Sequence, residues 1–453
     1  MKRQLLVLPI ALLLGSVAPL RAVEAQEVDP AAVALMEEAW LTLGDGDIAG
    51  ARAMFEQLAA AGFDAPSSTG LAAVAAAGGD WATAERLAQA AVSADASIPM
   101  AWALLCRSQG ARGDFDQALG TCETAASMGP DIPMAVETAC AVTLARYRYD
   151  RAVANCELAV EANSGSAGNH WRLGVALTQL GEFGLAASEC SMAIEINANE
   201  PMAWYCAGSA QLQSGQAQAA LSSCQQAVAV GSSNALAYYC RGMAQLELGN
   251  TDDAASDCAR AVSLAPGEAL GHFCQGRIGR QTGDWAGAQA SLTRALQLND
   301  ALVEARGSLG DVLTQSGDAA AGEVWLRDAI ERAPNADRYA QLGRNLFSQQ
   351  RFDDAFDAFG QALRRAPGSA SILANQGLCR KEQGQFDEAA ALIQQAIDAE
   401  PANPVWVRTL AETWAGARNY EAAAAALESG LASFPDNPTL HIALCAARVR
   451  QQE

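Results

Sequence analysis

The stretch Pro201–Glu268 is one segment written twice. Set in two rows of 34, it puts Trp204 over Tyr238, Cys206 over Cys240 and Gly208 over Gly242. Gly215 stands over Gly249, Ala220 over Ala254, Cys224 over Cys258 and Ala227 over Ala261. A fixed period of this size restricts a chain to architectures in which each unit buries its apolar face only against its neighbours. At 453 residues the chain exceeds one ordinary globular core. A repeat array has no such ceiling, because its core grows by one layer per unit. Ala, Leu, Gly and Gln dominate and β-branched residues are sparse, which favours helix throughout.

The period extends in both directions. Unit starts fall near 32, 65, 99, 133, 167, 201, 235, 269, 303, 336, 370 and 404, so residues 32–437 hold twelve units. Residues 438–453 read as a single capping helix. Each unit is predicted to be a helical hairpin. Its first helix stops at a glycine, as at Gly113, Gly181, Gly215, Gly249, Gly283, Gly317 and Gly384. Its second helix carries a small residue early, as at Ala118, Ala152, Ala186, Ala355 and Ala389. A larger residue there would hold the two axes apart. Turns rich in Pro or Asn follow, at Pro130, Pro266, Pro334, Pro367, Pro401 and Pro435.

Ahead of the array, residues 1–25 read as a secretory signal peptide. Lys2 and Arg3 open it, Leu5–Leu14 is the apolar run, and Val23-Glu24-Ala25 offers a cleavage site. The run is shorter than the roughly 20 residues of a spanning helix and Pro9 interrupts it. Residues 26–31 form a short linker. No second apolar span follows, so no membrane insertion is expected after cleavage.

The recurring pattern resembles the tetratricopeptide repeat. Leu173-Gly174, Gly181, Phe183, Ala186 and Ala193 follow it, as do Leu342-Gly343, Phe352, Ala355, Phe359, Ala362 and Pro367. The first unit matches least, and Arg418 takes the usual glycine slot in the last. The resemblance implies an all-α fold: a right-handed α-solenoid of about twelve hairpins with a C-terminal capping helix. It also implies that the first helices line a concave face. No residues remain for a separate catalytic domain.

Several function classes are disfavoured directly. Net charge is −21. Loss of residues 1–25 leaves 27 basic and 50 acidic residues, or −23. Such a surface repels nucleic acid and anionic lipid. His170, His272 and His441 all occupy position 4 of a unit, the structural Trp slot, and are predicted to be packing residues. No Ser-His-Asp grouping, phosphate loop, HExxH or haem-attachment motif is present. The segment Asp45–Glu56 has the look of a calcium loop, but Ala49 replaces a ligand and the segment lies on a hairpin turn. Asp252-Asp253 and Asp353-Asp354 start second helices, where negative charge suits the helix dipole. No enzyme, cofactor or metal is expected.

Ten cysteines form five pairs, each 16 apart: Cys106/Cys122, Cys140/Cys156, Cys190/Cys206, Cys224/Cys240 and Cys258/Cys274. Cys106 and Cys140 sit at position 8 of their first helices. Cys206, Cys240 and Cys274 sit at position 6. Two residues turn a helix by about 200°, so the two positions face opposite ways. Position 8 should face its own second helix and position 6 the preceding unit. Two staples within units and three between units are therefore expected, in an exported chain. The alternative is that these are small buried thiols. Zinc spacing is absent. Cys379 and Cys445 fall outside the scheme and are expected to be buried free thiols.

Position 5 reads Trp171, Tyr205, Tyr239 and Phe273 in four successive units. In the family that position belongs to the concave groove. Met202, Leu212, Met243 and Leu246 stand between the rings, and Arg277 and Arg280 follow. Rigid aromatics with adaptable Met suit the capture of a peptide. Packing of the same rings into ordinary core is the competing account. The expected function is a non-enzymatic scaffold binding a peptide or partner protein on the concave face. The alternative is an accessory subunit of an envelope assembly or export machine for polysaccharide, pili or outer-membrane proteins. No N-x-[ST] sequon occurs. With the leader, that places the chain in a bacterial periplasm, a secreted protein being the other outcome.

Overall fold

The computed structural model describes residues 30–128, 132–146 and 148–452. The signal segment 1–25, most of the linker 26–31 and the turn at Pro130 lie outside the described residues. Among the described residues there are 25 helices and no strand. The chain divides into two compact units, one ending at Gly271 and one beginning at His272.

The first unit stacks seven helical hairpins. These are α1 (Pro30–Gly44) with α2 (Ile48–Ala60), α3 (Asp64–Ala77) with α4 (Trp81–Ala94), and α5 (Pro99–Arg112) with α6 (Phe115–Met128). Next come α7 (Pro133–Ala145) with α8 (Tyr149–Ala162) and α9 (Ala167–Leu180) with α10 (Phe183–Ile196). Then follow α11 (Pro201–Gln213) with α12 (Ala217–Val230) and α13 (Ala235–Glu247) with α14 (Thr251–Leu264). The boundary falls inside α15 (Ala269–Thr282), which pairs in sequence with α16 (Trp285–Leu298). The second unit continues through α17 (Val303–Gln315) with α18 (Ala319–Arg332) and α19 (Ala336–Ser348) with α20 (Phe352–Arg365). It ends with α21 (Ala370–Glu382) and α22 (Phe386–Ala399), α23 (Pro404–Gly416) and α24 (Tyr420–Ser433), and the single helix α25 (Pro438–Gln451). Within each unit a first helix packs on its own second helix, and that second helix on the next first helix. Helix α1 begins at Pro30, so the last residues of the linker segment are already helical.

Local chemistry sets the helix ends. Asp80, Asp284 and Asp318 cap second helices by accepting from the backbone N–H three residues on, at 3.0–3.1 Å. The paired acids Asp252-Asp253 and Asp353-Asp354 lie in the first turns of α14 and α20. First helices close on a left-handed residue, glycine at Gly113 (φ 89°) and Gly181 (φ 85°). Gln350 and Arg418 adopt the same conformation at φ 62° and 58°, where a side chain costs roughly 1–2 kcal/mol.

In five first helices a ring or guanidinium at position 4 ties the helix to the turn before it. Trp102 Nε1 donates to the carbonyl of Ala96 at 2.9 Å and Trp204 Nε1 to that of Ala198 at 2.8 Å. His170 Nε2 makes the same contact with Ser164 O at 3.0 Å, and His441 Nε2 with Pro435 O at 2.7 Å. Arg306 reaches the carbonyl of Asp300 likewise. The slot asks for an N–H donor six residues from its acceptor, which is why Trp, His and Arg interchange there. His441 departs from the expected packing role, because it is exposed.

The core has one recurring slot, at position 24 on each second helix. Phe55, Ala88, Cys122, Cys156, Cys190, Cys224, Cys258, Leu292, Leu326, Phe359, Ile393 and Leu427 fill it, each at most 1% exposed. Room comes from the facing first helix. A Cβ on Gly310 would lie 2.6 Å from Leu326 Cγ, and one on Gly208 would lie 2.5 and 2.7 Å from the sulfurs of Cys224 and Cys240. Four bridges are defined. Cys106–Cys122 and Cys140–Cys156 lie within hairpins, at Cα separations of 5.0 and 4.7 Å. Cys190–Cys206 and Cys224–Cys240 join one hairpin to the next, both at 5.5 Å. Cys258 and Cys274 are also disulfide-bonded. Each bridge closes a loop worth on the order of 3 kcal/mol in the chain-entropy view. That is similar to the roughly 1.5–3 kcal/mol from burying a Leu or Phe in the same slot.

Cys379 is buried, and burial pushes its thiol up to about 12. Cys445 corrects the sequence reading: it is exposed on α25. Periodicity assigns it an inward position, but among the described residues no helix covers that face of α25.

Gly208→Ala should destabilise the chain by about 1–3 kcal/mol through overpacking against the Cys224–Cys240 bridge. Gly184→Ala, on a helix with open space around the added Cβ, should be neutral or stabilising by roughly 1 kcal/mol. Denaturant melts of the two variants check the contrast; equal effects would refute it.

Candidate functional site

The position-5 residues of α9, α11 and α13 come together as one seam in the first unit. Trp171 packs in the cluster containing Cys190, Ala203 and Cys206, with Met202 against it. Tyr205 packs with Cys224, Leu236 and Cys240, with Met202 and Tyr239 at the edge. The two bridges between hairpins are thus part of the seam itself.

Exposure divides the candidates. Trp171, Tyr205, Met243 and Leu246 are buried, as is Phe273 on α15. Tyr239, Met202 and Leu212 are half-buried. The second set is the part of this face open to solvent, and the first set lies beneath it. Burial pushes the Tyr205 phenol up to about 12, opposed by its hydrogen bond with Ser209. Arg277 and Arg280 are half-buried in the second unit. Arg280 Nη1 donates to Asp311 Oδ2 on α17 at 2.8 Å, so this cation is engaged within the chain.

A polar group missed by the sequence reading sits upstream of the rings. Glu137, at position 5 of α7, is buried and accepts from Asn169 Nδ2 at 3.1 Å and Asn163 Nδ2 at 3.4 Å. Arg172 stacks its guanidinium over the Trp171 ring, 4.6 Å from the centroid. Burial lowers Arg172 to about 10, and Glu137 and Glu200 oppose the shift. Burial lowers Arg107 as well, against the attraction of Glu137. These residues occupy positions 9, 5 and 6, so charge at groove registers was the available signal. Removing one member of such a group leaves the remaining buried charge uncompensated, which is costly.

His170 is held on both ring nitrogens: Nδ1 lies 2.6 Å from Glu189 Oε2, and Nε2 bonds Ser164 O. Among the described residues no three His, Cys, Asp or Glu side chains gather as a metal site. In the calcium-like segment, Asp47 accepts from Gly50 N at 2.9 Å and caps α2.

Comparison with known proteins agrees with this architecture. Two tetratricopeptide repeat profiles match, one over residues 205–269 and 341–404, the other over residues 280–346 and 380–448. A wheat (Triticum aestivum) Hsp70-Hsp90 organizing protein is 27% identical over 110 residues. That match covers 23% of this chain and 18% of the wheat protein. Among solved structures, the APC/C hetero-tetramer Cut9–Hcn1 contains a chain similar in fold, with a TM-score of 0.56 at 14% identity. The similarity covers 93% of this chain and 96% of that one.

Truncating the buried ring in Tyr205→Ala should cost about 3–5 kcal/mol. Tyr239→Ala, at a half-buried ring, should cost about 1 kcal/mol. Urea melts of the full chain give both values; a larger loss for Tyr239→Ala would reverse the assignment of floor and surface.

Proposed function

The chain belongs to the tetratricopeptide repeat family, and from that premise we propose that it is a non-enzymatic scaffold holding a peptide or partner protein along α9–α13. The observation that carries this reading is the run of aromatics at one register. Position 5 is Trp171, Tyr205, Tyr239 and Phe273 in four consecutive units, but Ala103, Glu137, Gly307, Ala340 and Ala374 elsewhere. Core packing alone asks for no such concentration. The rings Trp171 and Tyr205, with Met243 and Leu246, set the shape of the floor. Tyr239, Met202 and Leu212 touch the partner, and Phe273, Arg277 and Arg280 continue the same registers on α15. The bridges beside the rings preorganise them, which lowers the ordering cost of binding. A wheat protein named for organising Hsp70 and Hsp90 carries a similar stretch, which supports a partner-holding role.

The proposed compartment is oxidising, and the bacterial periplasm fits best. Disulfides persist there, and residues 1–25 have the make-up of a leader. No helix among the described residues is long and apolar enough to cross a membrane.

Affinity capture from periplasmic extract tests the site. The double variant Met202→Ala, Tyr239→Ala should retain at least tenfold less of the wild-type partner, or about 1.4 kcal/mol. Its melting temperature should stay close to wild type. Undiminished capture by the folded variant would reject the ladder as the binding face.

A further inference from the structure

Helix α10 turns three large apolar side chains to solvent. Leu185, Met192 and Ile196 stand at positions 19, 26 and 30 of their unit and lie within about 40° of one another around the helix. They are 59%, 40% and 38% exposed. Val230 takes position 30 on α12 and is 37% exposed. The same registers carry Asp253 and Arg260 on α14, and Asp354 and Arg365 on α20. The stack does not need the four apolar side chains, because Cys190 and Cys224 already fill the core slots of α10 and α12. Helices α10 and α12 both pack against α11, in successive layers of the first unit.

Charge is missing from the same place. Residues 196–240 include one charged side chain, Glu200, which accepts from Met202 N at 3.1 Å and caps α11. Helix α12 is the second helix with no charged residue at all. On α10, Glu189 lies 2.6 Å from His170, which leaves Glu195 as the exposed charge. The whole chain carries −21, so two copies repel over most of their surface and least here. In a twofold dimer a patch meets itself. An acidic patch then sets like against like, whereas an uncharged apolar one is complementary to its own copy.

We propose that the outward faces of α10 and α12 form a twofold interface through which two copies of this chain associate. Leu185, Met192 and Ile196 are its apolar centre, and Val230 extends it onto α12. The Cys190–Cys206 and Cys224–Cys240 bridges hold α10 to α11 and α12 to α13. The patch is thus backed by fixed layers, and docking orders little. The inference does not rest on the scaffold reading: it shares no residue with the aromatic ladder, and either can fail while the other stands.

Sedimentation velocity of the intact, oxidised protein over a concentration series is the test. Wild type should populate a species of twice the chain mass, and added salt should strengthen it by screening the repulsion between copies. Leu185→Glu with Met192→Glu should weaken the dimer at least tenfold, or about 1.4 kcal/mol. Leu185→Lys with Met192→Lys should weaken it too. An equal mixture of the two double variants should associate again, because each patch then meets the opposite charge. Val324→Glu, at a residue 68% exposed on α18, controls for added surface charge and should dimerise as wild type does. All the substituted residues are exposed, so unaltered melting temperatures verify the fold. A single-chain mass at every concentration overturns the proposal. So does a dimer that survives the glutamate pair, or a mixture of the double variants that stays monomeric.

Discussion

One side chain per hairpin, held between its own first helix and the next, is what the stack depends on. In the second unit that side chain is Leu292, Leu326, Phe359, Ile393 or Leu427, and in much of the first it is a bonded cysteine. A helical hairpin has little interior of its own, so this slot is where neighbouring layers become one solid. The facing residue at position 8 decides how the slot is used. Where it is Cys, as at Cys106 and Cys140, the second-helix sulfur bonds back into its own hairpin. Where it is Gly, as at Gly174 and Gly208, the sulfur has room to pass over and reach position 6 of the next hairpin. A single register choice thus selects between stiffening a layer and joining two.

That choice bears on function through placement. Both defined bridges between hairpins lie against Trp171 and Tyr205. A noncovalent slot can slide slightly as a partner presses on it, whereas a disulfide holds two Cα atoms at 5.5 Å. The stretch proposed to bind is therefore the stretch held most firmly. The second unit, with Leu, Phe and Ile in the slot, has ordinary packing instead.

Much of this was legible in the residues. The 34-residue period, the helical hairpins and the glycines that end first helices all follow from local chemistry, which repeats faithfully. The 16-residue cysteine interval was equally visible. Exposure was not. Whether Tyr205 is floor or surface depends on the angle between α9, α11 and α13, which periodicity does not encode. Cys445 reads as a core position by register and is exposed, because register describes a helix with neighbours on both sides. Arg107, Glu137 and Arg172 look like surface charges in sequence. They are drawn inward because they answer one another across three first helices.

Hydrogen exchange of the intact chain, oxidised and after reduction, measures the central claim directly. Reduction should raise exchange selectively in α5–α8 and α10–α15, whose bonded cysteines lose their covalent fill. Helices α17–α24, whose slots hold Leu, Phe and Ile, should keep their protection. Uniform loss along the whole chain, or no loss in the cysteine-bearing hairpins, would contradict the account.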